Sequence, residues 1–481
     1  MRPKRMARAA ILLAALATAC GSRAFAQFET RASAPTTNRP RSVVTGDFNR
    51  DGNLDVAAVM NLPFGSVKIL LGNGDGTFRA GPAYAVGVAP FFAAAASLRQ
   101  NGVLDLVVGD SLSQNVYVML GNGDGTFQAP VAYPTNGRPV YVDTGKFAGS
   151  GNLDIVDLTG NGAECICVEV LPGNGDGTFR AAIDTPVPYN IDGFAMAVGD
   201  FNDDGNLDVA VTGAFFSTSQ VDILLGNGDG TFTADGYYLL ASTPQSVATA
   251  HFTSNEKNLD LVIADYGGNN LSVLLGNGDG TFQQPVYYDT NSPTWVLATD
   301  VNGDGKIDLA ASNYGISAQY PAGVTVFRGN GDGTFQPGVF YLVGKQGNYV
   351  VAGDFNGDRK PDLVFVDGLG DAAIMLLNTG VVSFSPTTPL NFKSQAVGTT
   401  SQPLTVKLAN TGTSALKIAS MKASTEFAVT STCGASVAAG AKCTISATFS
   451  PTEKGAKQGA ITIIDSASSK PQVIEVLGTG T

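Results

Sequence analysis

The sequence has one histidine, His251, and one tryptophan, Trp295, in 481 residues. With a single histidine, no Ser/His/Asp or Cys/His arrangement and no histidine-based metal centre can be assembled. Charged residues make up only 15% of the chain, and acidic residues outnumber basic ones 41 to 29. That balance excludes nonspecific binding to nucleic acid or to an anionic membrane. Apolar runs are short. The longest near the start, Ala9 to Ala19, falls below the roughly 20 residues that a membrane span needs. No stretch of useful length has helical periodicity. Disorder is excluded as well, because 44% of residues are hydrophobic.

Cysteine is sparse, with five residues. Cys20 falls in an N-terminal stretch that reads as an export signal. Arg2, Lys4, Arg5 and Arg8 give it a basic start, an apolar run follows, and Ala24-Phe25-Ala26 is an A-x-A cleavage site. Leu16 to Cys20 resembles a lipoprotein box with its leucine one place too far upstream, so a lipid anchor at Cys20 is the second reading. Removal of residues 1–26 takes five basic residues and moves the formal charge from −12 to −17. In an exported chain Cys433 and Cys443 are expected to form a disulfide. Cys165-Ile166-Cys167 lacks the further soft ligands of a zinc site. A strained local disulfide and two free thiols both remain open for it.

Glycine, by contrast, is abundant, with 59 residues, and much of it lies in repeats. The stretch Asp47 to Asp55 reads D-x-N-x-D-G-x-x-D. It returns complete at Asp200 to Asp208 and Asp300 to Asp308, and at Asp354 to Asp362 with Arg359 in place of the glycine. Weaker copies sit at Ser97 to Asp105, Lys146 to Asp154 and His251 to Asp260. A second block, G-N-G-D-G-T-F, follows each of the first six loops, beginning at Gly72 to Phe78, and supplies the positive φ values of tight hairpins. Its final Phe is expected to pack between units. Four short β-runs per unit of roughly 50 residues match a propeller blade. The seventh unit lacks its fourth run, while Phe28 to Asn38 resembles the stretch that begins at Phe127. The expected fold is therefore all-β: a seven-bladed propeller over 27–380, with the N-terminal strand closing blade seven. From about Val381 the texture changes to alternating Thr, Ser, Ala and Val. Runs at Thr405–Ala409, Ile445–Phe449, Ala460–Ile464 and Val473–Leu477 predict an immunoglobulin-like β-sandwich over 381–481.

Oxygen ligands on alternate residues of a tightly turning loop suit calcium, which takes six to eight oxygens. The candidate ligands are Asp47, Asn49, Asp51 and Asp55; Asp200, Asn202, Asp204 and Asp208; Asp300, Asn302, Asp304 and Asp308; and Asp354, Asn356, Asp358 and Asp362. The backbone carbonyls of Asn53, Asn206, Lys306 and Lys360 complete the sets. About four structural Ca²⁺ ions are expected. These loops are not EF-hands, since position 12 after Asp47 is Ala58 and strands flank the loop. The weaker copies lack ligands, yet their last Asp persists. It is expected to accept hydrogen bonds from loop amides without metal, and Lys146 to stand in for the absent cation.

The repeated G-D-F-N-x-D-G-x-x-D, as at Gly199 to Asp208, with L-G-N-G-D-G-T-F resembles the FG-GAP/VCBS blades of integrin α-type propellers over about Phe28 to Leu377. That resemblance places the Asp loops between the first two strands of each blade and implies calcium on one face of the ring. The tail, with Cys433-Gly434, Ala441 to Ile445, Phe449-Ser450-Pro451 and Leu477 to Gly480, resembles the ASPM/Hydin-like (choice-of-anchor D) immunoglobulin-like modules. The opposite face of the ring would carry the variable loops. Arg39, Arg41, Arg138, Phe216, Tyr266, Trp295, Tyr314 and Tyr320 are its candidate ligand-binding residues. The expected function is non-catalytic binding or adhesion, exported or at the cell surface, with a glycan or an extracellular protein as partner. The alternatives are a component of extracellular polysaccharide degradation and an architectural surface protein.

Overall fold

A computed structural model describes residues 28–481 except 37–38, 62–63, 161–165, 189–191, 216–217, 254–256, 303–304, 318, 359, 379–381, 386–388, 411–414, 439 and 466–470. The leader with Cys20, and Cys165, Phe216, Asp304 and Arg359, lie outside the described residues.

Seven four-stranded antiparallel sheets follow one another along the chain. The first comprises Pro40–Gly46, Asp55–Met60, Ser66–Gly72 and Phe78–Ala85. Burial falls from the inner strands to the outer one: Asp55–Met60 is buried throughout, while Phe78–Ala85 is partly or fully exposed. The innermost strands meet their neighbours in sequence, and Gly347–Gly353 of blade seven meets Pro40–Gly46 of blade one, so the ring closes. Blade seven takes its outer strand from the N-terminus. Phe28–Pro35 pairs antiparallel with Ala372–Asn378, with Phe28 opposite Asn378. The fold is a seven-bladed β-propeller closed as the sequence predicts.

Each innermost strand carries a bulge at its start, directly after its first or second paired residue, as between Pro139 and Tyr141 or between Pro293 and Trp295. The residues after the bulge include Phe92, Tyr141, Trp295 and Tyr349, and these converge at the centre of the ring. Trp295 stacks on Tyr349 at 4.0 Å, and Phe92 lies 5.2, 5.5 and 6.0 Å from Tyr141, Trp295 and Tyr349. Trp295 is therefore not a surface-loop residue. It is buried in the strand Pro293–Thr299, where its apolar ring fills the bore.

The C-terminal region is a β-sandwich. One sheet holds Val382–Ser385, Leu404–Asn410, Lys442–Phe449 and Phe427–Ser431; the other holds Leu390–Gln395, Gln472–Gly480, Gly455–Asp465, Leu416–Ala423 and Ser436–Val437. Alternating burial along Lys442–Phe449 sends Cys443, Ile445, Ala447 and Phe449 into a core with Ile461, Ile463 and Val476. Cys433 and Cys443 are bonded across 10 residues, so the disulfide staples a local loop within this module.

Candidate functional site: the loop face and the opposite mouth

The Asp loops join the first and second strands of the blades, and the last Asp of each is the first residue of a second strand. All seven of these carboxylates are buried. They are held by backbone amides. Asp55 Oδ2 accepts from Phe48 N at 2.9 Å and Oδ1 from Gly72 N at 2.8 Å. The same pair recurs at Asp208 with Phe201 and Gly226, at Asp260 with Phe252 and Gly276, and at Asp362 with Phe355 and Asn378. The metal-poor loops keep it: Asp105 binds Leu98 N and Gly121 N, and Asp154 binds Phe147 N and Gly173 N. Each carboxylate thus ties the loop to the end of the third strand. Close approach explains the glycine there, since a Cβ on Gly72 would lie 2.2 Å from Leu54 O.

The G-N-G-D-G turns lie on the same face and stitch neighbouring blades together. Gly125 N donates to Phe48 O at 3.0 Å, Gly280 N to Phe201 O at 3.0 Å and Gly76 N to Phe355 O at 3.0 Å. Blade seven has no such turn, and Asn378 Nδ2 donates to Val301 O at 2.6 Å in its place. The trailing Phe packs edge-on against the previous blade, as Phe127 does on Phe48 at 5.6 Å and Phe282 on Phe201 at 5.5 Å. Phe28 meets Tyr341 the same way, at 5.5 Å.

In the complete loops the oxygens of positions 1, 3 and 5 gather at one place. Asp51 N lies 3.1 Å from Asp47 Oδ1 and 2.9 Å from Asn49 Oδ1, and Asn49 Nδ2 reaches Asp51 Oδ2 at 2.9 Å. Blade four repeats this, with Asp204 N at 3.1 Å from Asp200 Oδ1 and 3.0 Å from Asn202 Oδ1. Blade seven repeats it through Asp354, Asn356 and Asp358, but Lys360 Nζ sits 3.4 Å from Asp358 Oδ2. In blade six Asp300 accepts from Asn302 N and Gly305 N. Two residues per loop adopt left-handed backbone: position 6 (Gly52, φ 86°; Gly205, φ 87°) and position 4 (Arg50, φ 61°; Asp203, φ 59°). Only the first was legible as a glycine. Burial raises the Asp55 carboxyl pKa, and the charges of Asp51 and Asp47 add to it. Burial likewise lifts Asp208 to about 6 and Asp362 to about 7, with the paired loop carboxylates contributing. Among the described residues no group of three or more His, Cys, Asp or Glu forms a metal cage. The gathered oxygens come from two Asp and one Asn, a hard-donor set that fits Ca²⁺.

Blade two places a cation of its own at its loop. Arg99, at position 3, forms an ion pair with Asp105 at 2.5 Å and also donates to Gly121 O at 2.6 Å. Sequence reasoning missed this arginine and assigned the role in blade three to Lys146. Lys146 is exposed and forms no ion pair with Asp154. In blade five His251 Nδ1 lies 2.8 Å from Asn258 O.

On the opposite face, Arg41 lies over the Phe91 ring at 4.9 Å, and the Tyr314 hydroxyl is close enough to act on its charge. Tyr266 meets Tyr314 edge-on at 5.8 Å. Arg39 N binds Asp371 Oδ1 at 2.7 Å. Arg138 and Tyr320 are exposed. Of the candidate ligand residues, Arg39, Arg41, Tyr266 and Tyr314 come together, and Phe91 joins them unforeseen.

An FG-GAP-like repeat model matches residues 47–108, 147–211, 254–311 and 300–365, and an ASH model (Abnormal spindle-like microcephaly-associated, ASPM-SPD-2-Hydin) matches 379–473. The chain is an FG-GAP-repeat propeller with an ASH domain. A search of curated proteins found no match. Among solved structures, the FG-GAP propeller is similar to BBS1N, crystallised with ARL6DN. Two such structures, soaked with lead and with mercury, give TM-scores of 0.51 and 0.52 at 12% and 13% identity, covering 73% of this chain and 97% of theirs. No helix among the described residues is long and apolar enough to cross a membrane.

Proposed function

We propose that this FG-GAP protein is an exported, non-catalytic binding or adhesion protein whose Asp-loop face is braced by calcium and whose opposite mouth holds the ligand. The observation that carries the reading is the unlike use of the two faces. The loop face spends its polar groups on its own amides and on blade-to-blade stitches. The opposite mouth instead gathers Arg41, Phe91, Tyr314 and Tyr266, side chains that suit carboxylate, amide or ring recognition. Calcium would be held by positions 1, 3, 5 and 9 with the position-7 carbonyl, neutralising carboxylates that now raise one another's pKa. The extracellular setting typical of FG-GAP repeats supports export, and a propeller of this fold crystallised with a protein partner favours a protein ligand over a glycan. Cell-surface pull-down run beside a glycan array tests this. Capture that Arg41→Ala with Tyr314→Ala abolishes is the expected result. Retained capture by that double variant would place the ligand elsewhere, and turnover of a polysaccharide would replace the reading with an enzymatic one.

A further inference from the structure

The loops opposite the Asp loops carry exposed apolar side chains at their tips. Phe64 of blade one is 81% exposed, and Val88, Leu112, Ile316, Tyr320 and Leu369 are exposed as well. All six lie on loops between second and third strands or on the links between blades, so the topology puts them on one face. Their blades, six, seven, one and two, stand side by side in the ring. Among the described residues, the corresponding loops of blades three, four and five expose no large apolar side chain, and Tyr266 there is half-buried. The apolar tips therefore form a crescent over four of the seven blades. Exposed apolar side chains gathered in this way mark an interaction surface.

Hydrogen bonds hold these tips in place. Asp110 and Asp367 end the second strands of blades two and seven, and both are buried. Asp110 Oδ1 accepts from Leu112 N and Ser113 N at 2.9 Å, and Oδ2 from Ala89 N at 3.0 Å and from Val88 N. Asp367 Oδ1 accepts from Gly370 N at 2.9 Å and Gln346 N at 3.0 Å, and Oδ2 from Lys345 N at 2.9 Å. Each carboxylate thus fixes the loop that presents a leucine, Leu112 or Leu369, and the link before its blade. Further bonds join the loops: Val86 N to Gly65 O at 3.0 Å, Gly347 N to Tyr314 O at 3.1 Å and Arg39 N to Asp371 Oδ1 at 2.7 Å. A partner therefore meets loops that need little ordering on binding. Arg39, Arg41 and Lys345 are exposed within the crescent and form no ion pair among the described residues. Its loops carry one exposed acid among those residues, Asp371. On a chain of formal charge −12 the crescent is a basic island.

We infer that the crescent docks an acidic segment of a protein partner, with its carboxylates on Arg39, Arg41 and Lys345 and its apolar side chains among the tips. This rests on the reading that the opposite mouth holds a protein ligand, and it names that ligand's chemistry. Two copies of this chain meeting crescent to crescent would bring like charges together. The acidity of the rest of the chain opposes an anionic bilayer. A glycan would leave the apolar tips in water.

The test selects a phage-displayed random peptide library on the immobilised full mature chain, then measures the selected peptides by fluorescence anisotropy. Peptides that pair Asp or Glu with aliphatic or aromatic residues are expected. Leu112→Ser with Leu369→Ser should weaken their binding at least about tenfold. Lys345→Glu should weaken it too, with an effect that shrinks in high salt. Asp110 and Asp367 bind main-chain amides, so these variants keep their bonds, and circular dichroism checks the fold. If the serine variant does not fold, Lys345→Glu against wild type decides. Selection of basic or purely polar peptides, no selection at all, or unchanged affinity in the serine variant overturns the inference. Loss of binding in Arg41→Ala with Tyr314→Ala, but not in the serine variant, overturns the crescent alone and leaves the mouth as the ligand site. Retention in both overturns both. Binding to phosphatidylserine vesicles that the serine variant abolishes would replace the protein partner with a membrane surface.

Discussion

The two faces of the ring are built from the same strands and differ in what their loops must do. On the Asp-loop face the same atoms recur from blade to blade: a buried carboxylate, two amides, a glycine and a trailing ring. On the opposite face the blades differ more, although Asp110 of blade two and Asp367 of blade seven are used alike. Blade two ends its second strand on Asp110, which accepts Ala89, Leu112 and Ser113 amides. Blade six uses Asn313 bound to Thr290 and Thr325 instead. Repetition marks the face that holds the ring together, and variation marks the face we propose for the ligand.

Removing a repeated carboxylate should break that contrast most severely. Asp208→Ala leaves the amides of Phe201 and Gly226 without an acceptor in a buried place. Each costs about 1–3 kcal/mol, so a loss of about 4 kcal/mol is expected in urea unfolding. A loss below about 1 kcal/mol would mean that the amides find water, and that the stitch is not what fixes the loop. The calcium brace comes next. Saturating calcium at about 100 times the dissociation constant adds about 2.7 kcal/mol per site. Asp204→Ala should forfeit one site's share and one bound ion by metal analysis, and lose little in chelator. A purified chain holding no calcium at millimolar concentration would refute the brace.

A smaller effect concerns pH. Asp222 is buried, with Gln220 Nε2 at 2.6 Å on one oxygen and no partner on the other, and burial lifts its pKa to about 7. The folded chain keeps this proton over a range in which the unfolded chain, with a carboxyl near 3.9, has lost it. Stability from this group is therefore fully present below about 4 and is lost as pH rises through about 7. Asp222→Asn should flatten the fall in melting temperature between pH 5 and 8; an unchanged slope would show that Asp222 ionises freely in the folded state. Smallest of all, Arg41→Ala should move stability by no more than about 0.5 kcal/mol while abolishing ligand capture. A large loss of stability would make the opposite mouth structural as well.

The ring and its closure were legible in the sequence because each blade repeats the same local needs. Turn glycines, alternating ligands and a Phe at fixed distance report backbone geometry directly. The second function of the last Asp was legible too, since it survives where the other ligands fail. Arg99 was not, because an arginine at a ligand position reads as a lapse until its reach back to Asp105 is seen. Trp295 was misplaced because a lone aromatic carries no period, and the bulge that aims it at the bore leaves no residue signature. Left-handed Arg50 and Asp203 were hidden for a similar reason: position 4 tolerates several residue types where position 6 calls for glycine.

The strand Phe28–Pro35 also sets the order of assembly. Its partner, Ala372–Asn378, is among the last propeller strands to be made, so the join that locks the ring spans nearly all of the propeller sequence. Until the two ends meet, the molecule is an open arc with one unpaired strand edge and one unpaired strand, the kind of surface that recruits a neighbour. Closure is thus a late, slow contact. Two arcs that exchange first strands would form a domain-swapped pair made of the same bonds.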